Sequence, residues 1–461
     1  MTTFTFIRRC ELPVPVDEAF AWHARPGAFE RLLPPWERVE LLRREGGIED
    51  GAITELSMRI GPVSVRWRAE HFGFEPNRQF CDRQTNGPFA FWEHTQSFLP
   101  GGASSCTMED RIEYRPPLGK LGSLLSHRSV ERKLARMFDY RHQVTQADLA
   151  DHARFRDRAP LRIALTGATG LVGKELTAFL TTGGHQVIPL KRGSAVTSNH
   201  AQTGQWNVET GEITLPDDQP LDALIHLAGE SIASGRWTPE MKQRIRESRV
   251  EATRRLAEAL ARMPNKPTTF LCASAIGFYG DRGDERLSEI SPAGGGFLAD
   301  VCRHWEAATQ VAHDAGIRVA HARFGMILSP RGGALAKMLT PFQLGGGGPI
   351  GSGRQIWSWI AIDDVIGALH HVLMNEQIVG PINLVAPHAV SSKQFARILG
   401  RVLHRPAIFP TPAAAVRLAL GEMADELLLA STHVLPRRLL DTGYRFRFAD
   451  LEAALRHLQG R

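Results

Sequence analysis

Apolar and polar residues alternate through the first 115 positions, and that period predicts strands. Val63-Ser64-Val65-Arg66-Trp67-Arg68-Ala69-Glu70 is the clearest run, the signature of a half-buried strand. Similar runs predict strands over Thr3–Cys10, Arg38–Arg43, Ala52–Arg59, Gln79–Arg83, Phe89–Phe98 and Cys106–Tyr114. Turn residues such as Gly61-Pro62, Asn86-Gly87-Pro88 and Pro100-Gly101-Gly102 join them, so the spacing predicts an antiparallel meander. Short helices fall at Asp17–His23 and Gly27–Leu33. A long one spans about Ser126–Asp151, with Val130, Leu134, Met137 or Phe138, and Val144 on one face. The charged segment Asp148–Pro160 reads as the tail of that helix and a linker.

After residue 160 the pattern changes to short apolar runs alternating with helical periods. Strands are predicted up to Thr166, over Gln186–Leu190, Asp222–Gly229, Thr268–Ser274 and Arg318–Phe324. Helices are predicted over Val172–Thr181, Pro239–Arg262, Leu298–Ala315 and Gly333–Leu344. This alternation implies a parallel, doubly wound sheet, whose ligands lie beyond the carboxyl ends of the strands. The strand ends are therefore the candidate site: Thr166, Lys191 and Arg192, Leu227, Ala228 and Gly229, Ser274 and Arg323.

The first of these ends carries the strongest chemistry. In Thr166-Gly167-Ala168-Thr169-Gly170-Leu171-Val172-Gly173 three glycines stand between a strand and a helix. Gly167 allows the tight turn, Gly170 lets the backbone approach a pyrophosphate, and Gly173 lets helix and strand pack closely. The free N–H groups of Thr169, Leu171 and Val172 then face phosphates. The second strand chooses the cofactor. An NAD enzyme carries an acidic residue there, about 20 residues past the glycines, for the ribose 2′-hydroxyl. Lys191-Arg192 stands in its place, and a guanidinium is a fork for a phosphate dianion. NADP is the expected cofactor.

Length and composition narrow the class. A chain of 461 residues is long enough for two or three domains. Net charge is +6, but the basic residues are scattered, which argues against nucleic-acid binding. Five cysteines without a CxxC pair fit a reducing compartment and argue against a disulfide or zinc framework. Met1–Cys10 lacks the layout of a signal peptide, and no run of about 18 apolar residues spans a membrane, so the cytoplasm is expected.

A curved antiparallel sheet with one long C-terminal helix resembles the START/polyketide-cyclase-like superfamily, the helix-grip fold. The phrase Pro13-Val14-Pro15-Val16-Asp17-Glu18-Ala19-Phe20-Ala21-Trp22 strengthens the likeness. The resemblance implies a cavity for a hydrophobic ligand between sheet and helix. Phe72, Phe74, Phe89, Phe91, Trp92 and Phe98 either line it or fill the core. His71 and His94 are ligand contacts or satisfied structural residues.

The second part resembles the short-chain dehydrogenase/reductase superfamily, in an atypical branch described as predicted nucleoside-diphosphate-sugar epimerases. The glycine fingerprint, His226-Leu227-Ala228-Gly229-Glu230-Ser231-Ile232 and Ala273-Ser274-Ala275-Ile276-Gly277-Phe278-Tyr279-Gly280 carry the likeness. So do Phe297–Glu306, Gly351–Ile360 and Gly421–Ala424. It implies a Rossmann-type domain over 160–461 behind a helix-grip domain over 1–155. It also implies NADP held by Gly167, Gly170, Gly173, Arg192 and the Leu227–Gly229 turn.

Two departures from the superfamily shape the functional expectation. Where Tyr-x-x-x-Lys is expected, the chain reads Leu298-Ala299-Asp300-Val301-Cys302. Ser274 stands at the substrate-binding serine, and Tyr279 is the nearest candidate proton donor, with an ordinary tyrosine pKa. Where sugar-nucleotide epimerases carry a diphosphate-gripping arginine, the chain has Trp357, with Arg354 nearby. The expected activity is an NADP-dependent oxidoreductase, or an epimerase working through transient oxidation, on a small apolar or cyclic substrate. The alternatives are an NADP-binding protein without turnover, or a cell-division-related interaction protein. The run Gly345-Gly346-Gly347-Gly348-Pro349 is either a mobile flap or a plain connection.

Overall fold

The computed structural model describes residues 3–60, 63–116, 119–193 and 203–461. The chain divides into two compact units: Met1–Ala159 with Ala178–Gly184 and His457–Arg461, and Pro160–Thr177 with His185–Arg456. The turn at 61–62 lies outside the described residues.

In the first unit all seven expected strands form. They are β1 (Phe4–Leu12), β2 (Val39–Glu45), β3 (Ile53–Ile60), β4 (Val63–Glu75), β5 (Gln79–Asn86), β6 (Phe91–Pro100) and β7 (Cys106–Arg115). The sheet order is β1-β7-β6-β5-β4-β3-β2. The last six strands are a meander, and β1 closes antiparallel onto β7, from Phe4 opposite Tyr114 to Leu12 opposite Cys106. Helices α1 (Val16–Ala24), α2 (Ala28–Leu32) and the 35-residue α3 (Gly119–Ala153) complete the unit. This is the helix-grip architecture, and α3 begins earlier than the apolar spacing suggested.

Two apolar clusters fill the interior, and a polar row separates them. One cluster gathers Phe20, Phe80 and Phe98; the other gathers Phe6, Trp92, Ile112, Tyr114, Leu134 and Phe138. Of the six aromatics in question, Trp92 and Phe98 are buried in these clusters. Phe72 and Phe91 instead lie under the guanidinium groups of Arg83 and Arg115, at 5.3 and 4.9 Å. Between the clusters, His94 reaches Asp82 Oδ1 through Nδ1 at 3.0 Å and Asp110 Oδ1 through Nε2 at 2.9 Å. His142 Nε2 lies 2.6 Å from Asp110 Oδ2 and ties α3 to the sheet. His94 is thus a satisfied structural residue. A second buried ion pair, bidentate Arg31–Asp148 at 2.8 and 2.9 Å, joins α2 to α3.

From Pro160 onward the chain runs β8 (Arg162–Thr166), α4 (Leu171–Thr182), β9 (Gln186–Arg192), β10 (Gly204–Trp206), β11 (Ile213–Thr214), β12 (Ala223–His226), α5 (Pro239–Arg246), α6 (Ala252–Arg262), β13 (Thr269–Ala275) and β14 (Arg286–Leu287). It continues with α7 (Phe297–Ala307), α8 (Gln310–Asp314), β15 (Arg318–Phe324), β16 (Met326–Leu328), α9 (Gly333–Gln343), β17 (Ile356–Trp357), β18 (Trp359–Ala361), α10 (Ile362–Met374) and β19 (Gly380–Leu384). Its main sheet has the order β11-β10-β9-β8-β12-β13-β15-β19, parallel except for edge strand β11. The order reverses between β8 and β12, and the crevice at that switch point is where such sheets bind ligands. The expected helix over 239–262 is interrupted by a π-turn at Glu247–Glu251, which no apolar spacing signals. The short strands β10 and β11 lie between the predicted strands Gln186–Leu190 and Asp222–Gly229, where no element is predicted. Among the described residues, no helix is long and apolar enough to cross a membrane.

The polar row carries a pH dependence. Burial alone would lower the pKa of His94, but its hydrogen bonds to Asp110 and Asp82 outweigh that and push it up to about 9. The folded state therefore holds this proton more tightly than the unfolded chain. The associated stability is fully present below about pH 6.5 and is lost as pH rises through about 9. Thermal melts from about pH 6 to about pH 10 should show this decline. In His94→Gln the decline should be shallower, and the melting temperature at neutral pH lower. A parallel slope in the two proteins would assign the effect elsewhere.

Candidate functional site

The glycine turn has the geometry its spacing implies. Gly167 has φ +72°, and the Gly170 N–H donates to Gly167 O at 2.9 Å. A Cβ on Gly167 would lie 2.8 Å from Ala228 N and from the Leu227 carbonyl. One on Gly173 would lie 2.1 Å from Gly167 O. Both glycines are thus required by close backbone approach. Gly170 differs. A Cβ there would meet only Gly167 O, at 3.2 Å, so the space over the helix N-terminus is open. Thr169 and Gly170 are exposed there, while Leu171 and Val172 are half-buried at the start of α4.

The turn after β12 is fixed to the first turn by side chains. The Ala228 N–H donates to Thr166 Oγ1 at 3.3 Å, and Thr166 Oγ1 lies 2.7 Å from His226 Nδ1. Burial drives the pKa of His226 down to about 3, so the ring is neutral and shares a hydrogen bond with the threonine hydroxyl. Arg249 lies over the Trp305 ring at 5.2 Å and donates to Glu230 O at 2.9 Å, holding the segment just past Gly229. Lys191 and Arg192 are exposed at the end of β9, and neither has an ion-pair partner among the described residues. Open space at Gly170, a helix N-terminus and two free cations fit a dinucleotide phosphate chain.

At the ends of β13 and β15 lies a buried polar array. Ser274 Oγ donates to Glu306 Oε1 at 2.7 Å. Arg323 forms a bidentate pair with the same carboxylate, 2.7 Å on each arm. Its remaining nitrogen donates to Tyr279 Oη at 2.9 Å, and Tyr279 donates onward to Asn383 Oδ1 at 2.8 Å. The guanidinium also stacks 3.5 Å from the centre of the Phe278 ring. Ser274, Tyr279 and Arg323 are all buried. The structure joins Ser274 and Tyr279 through Glu306 and Arg323, rather than through a substrate carbonyl. The pKa of Tyr279, expected to be ordinary, is raised by burial, with Arg323 opposing the rise. Arg323, expected at the cofactor, has its guanidinium engaged by Glu306, Tyr279 and Phe278.

The residues sequence reasoning passed over are the partners: His226, Glu306, Asn383 and Arg249. His226 and Asn383 lie on strands β12 and β19, Glu306 on α7 and Arg249 in the π-turn, and only the packing of these elements brings each to its neighbour. Trp357 is buried on Phe395, ring centres 5.5 Å apart, and its Nε1–H donates to Leu428 O at 3.2 Å. It therefore offers no phosphate contact, whereas Arg354 is exposed. The glycine run is tied as a connection: the Phe409 N–H donates to Gly347 O at 3.2 Å and the Thr411 N–H to Pro349 O at 2.9 Å. Among the described residues, no group of three or more His, Cys, Asp or Glu is arranged to hold a metal ion.

Comparison with known proteins agrees with this geometry. Residues 163–384 match the NAD dependent epimerase/dehydratase family, and residues 12–138 match the family of polyketide cyclase / dehydrase and lipid transport proteins. Residues 411–458 match a domain of unknown function. Epimerase family protein YfhF of Bacillus subtilis is 39% identical over 302 residues, 65% of this chain and 98% of that protein. Human epimerase family protein SDR39U1 is 34% identical over 301 residues, 65% of this chain and 99% of that protein. A crystal structure of the nucleoside-diphosphate sugar epimerase from Corynebacterium glutamicum covers 100% of this chain and 90% of its own, at 35% identity and a TM-score of 0.79. That of human SDR39U1 with NADPH covers 65% of this chain and 99% of its own, at 34% identity and a TM-score of 0.60. With the fingerprint, the switch-point crevice and these likenesses together, the chain belongs to the NAD-dependent epimerase/dehydratase family, as an SDR39U1-like epimerase family protein preceded by a polyketide cyclase-like, helix-grip domain.

Proposed function

We propose that this protein is an NADP-dependent oxidoreductase, or an epimerase working through transient oxidation, for a small apolar or cyclic substrate that carries no diphosphate. The observation that carries the cofactor part is the end of β9, next to the strand that ends in the glycine turn, where Lys191 and Arg192 are exposed and have no ion-pair partner among the described residues. The likeness to a human relative solved with NADPH supports it. In this reading Gly167, Thr169, Gly170, Leu171, Val172 and Gly173 surround the pyrophosphate. Arg192, helped by Lys191, grips the 2′-phosphate, and Leu227, Ala228 and Gly229 border the cofactor. Bound NADPH supplies hydride. The chain's own contribution is binding and orientation.

The packing of Trp357 supports the substrate class. Its ring is packed and its one donor is used, so a diphosphate finds no clamp there. Ser274 and Tyr279 enter this reading as positioning residues. Through Arg323 and Glu306 they set the end of β13 and the Phe278 ring. In the N-terminal domain, the half-buried Trp67 and Phe89 beside Trp92 support a hydrophobic ligand between sheet and α3.

A second reading, NADP held without turnover, is favoured by α7. Leu298, Ala299, Val301 and Cys302 are buried where a tyrosine and a lysine would stand. Deuteride transfer from labelled NADPH to a panel of cyclic ketones and enones separates the two. Label in any product establishes the oxidoreductase, and tight NADPH binding with no transfer favours the second reading.

Two variants test the assigned residues. Arg192→Ala should remove most of the preference for NADPH over NADH, a loss of about 1.5–3 kcal/mol for a charged hydrogen bond. Equal affinity of the unaltered protein for both cofactors in a titration would refute the assignment. Tyr279→Phe leaves an Arg323 N–H and Asn383 Oδ1 without their shared partner. It should cost about 1–3 kcal/mol of stability and leave the NADPH Kd within about twofold. A large change in that Kd with an unchanged melt would show that the hydroxyl acts on the cofactor directly.

A further inference from the structure

Three register irregularities mark the sheet of the N-terminal domain, and two of them flank the regular β3–β4 pair. Between β2 and β3 the register passes from Leu41 opposite Leu56 to Arg43 opposite Glu55, leaving Leu42 unpaired. Between β4 and β5 it passes from Arg68 opposite Asn86 to Ala69 opposite Gln84, leaving Thr85 unpaired. Bulges bend a sheet and re-aim side chains, and they are frequent beside functional sites. Here a cavity of about 350 Å³ opens at the bulges, lined by Leu42 and Thr85, by Glu55, by Arg66 to Arg68, and by Asn86. That volume lies near the lower end of small-molecule sites.

The chemistry of the lining is one-sided. Arg66 and Arg68 are two apart on a strand and so share a face. Trp67, between them, turns its ring to the opposite face, 5.0 Å from Trp92. Glu55 sits directly opposite Arg68 and pairs with it at 3.5 Å. Arg66 sits opposite Ser57, and among the described residues it has no ion-pair partner. The cavity therefore holds two guanidinium groups against one carboxylate. The Thr85 hydroxyl donates to Arg68 O at 3.3 Å. The Asn86 amide adds a further donor, and Leu42 a single apolar wall.

We infer that this cavity is a binding site for a small organic anion, with a carboxylate or phosphate group held by Arg66 and Arg68 and a compact apolar body against Leu42. A planar guanidinium suits either group as a two-pronged donor. The site is separate from the cofactor crevice and from the space between sheet and α3. It does not depend on the function proposed above. The anion is either free in solution or the headgroup of an anionic lipid.

The test uses the full chain saturated with NADPH, so that the cofactor crevice does not capture the probe. Ligand-observed NMR with phenyl phosphate and benzoate, and with neutral benzamide as control, measures the free source. Sedimentation with phosphatidylcholine vesicles, with and without phosphatidylglycerol, measures the lipid source. The expected result is binding of the anionic probes, weakened by salt. Arg66→Ser should weaken it about tenfold, and Arg66→Lys should restore part of it. Arg66 is exposed and has no ion-pair partner among the described residues, so the melt of Arg66→Ser should match that of the unaltered protein and show that the variant is folded. Sedimentation only with phosphatidylglycerol vesicles, released by Arg66→Ser, identifies the lipid headgroup as the source. Equal binding of benzamide, binding unaffected by Arg66→Ser, or no binding to either source overturns the inference.

Discussion

The contact on which the C-terminal unit depends is the approach of two backbone turns at the sheet's switch point. The space around Gly167 excludes any side chain, because the Leu227–Ala228 peptide lies where a Cβ would be. Thr166 and His226 lock the same two turns from beneath. Gly173 then brings α4 against the turn, so the free N–H groups at the helix start point into the crevice. Shift any of these and the cleft between β8 and β12 changes shape. The exposed cations of β9 would then face a different surface.

Each unit also contains buried charge that is paired rather than neutralised. In the N-terminal unit, Asp110 accepts from two histidines and Asp82 from one, tying β5, β6, β7 and α3 together. In the C-terminal unit, Glu306 accepts from Ser274 and from both arms of Arg323, tying α7 to β13 and β15. Such arrays add little net stability over apolar packing. Removing one partner is costly, because the other charge is left desolvated. They therefore fix which elements meet. Around Tyr279 the same logic engages the candidate proton donor with Arg323 and Asn383.

Much of the architecture was legible from periodicity. Alternation of period two gave all seven strands of the first sheet, because one face of an antiparallel sheet is wet and the other buried. The strand–glycine–helix run gave the tight turn, because its requirements are local: one positive φ, two close backbone approaches and a free helix end. Helix interruptions such as the turn at Glu247–Glu251 were not legible, since the residues remain helical in composition.

The sequence by itself determined the two-domain plan, the fingerprint and the two cations at the end of the second strand, all of which rest on neighbours within a few residues. The tertiary structure alone decided what Ser274, Tyr279 and Arg323 touch. Their partners, Glu306 and Asn383, lie 32 and 104 positions from Ser274 and Tyr279. Only the strand order β13-β15-β19, with α7 packed against it, brings them within hydrogen-bond distance. A hydroxyl at a strand end reads the same in sequence whether it meets a substrate or a buried arginine. The difference is burial, and burial depends on which distant elements pack over that end.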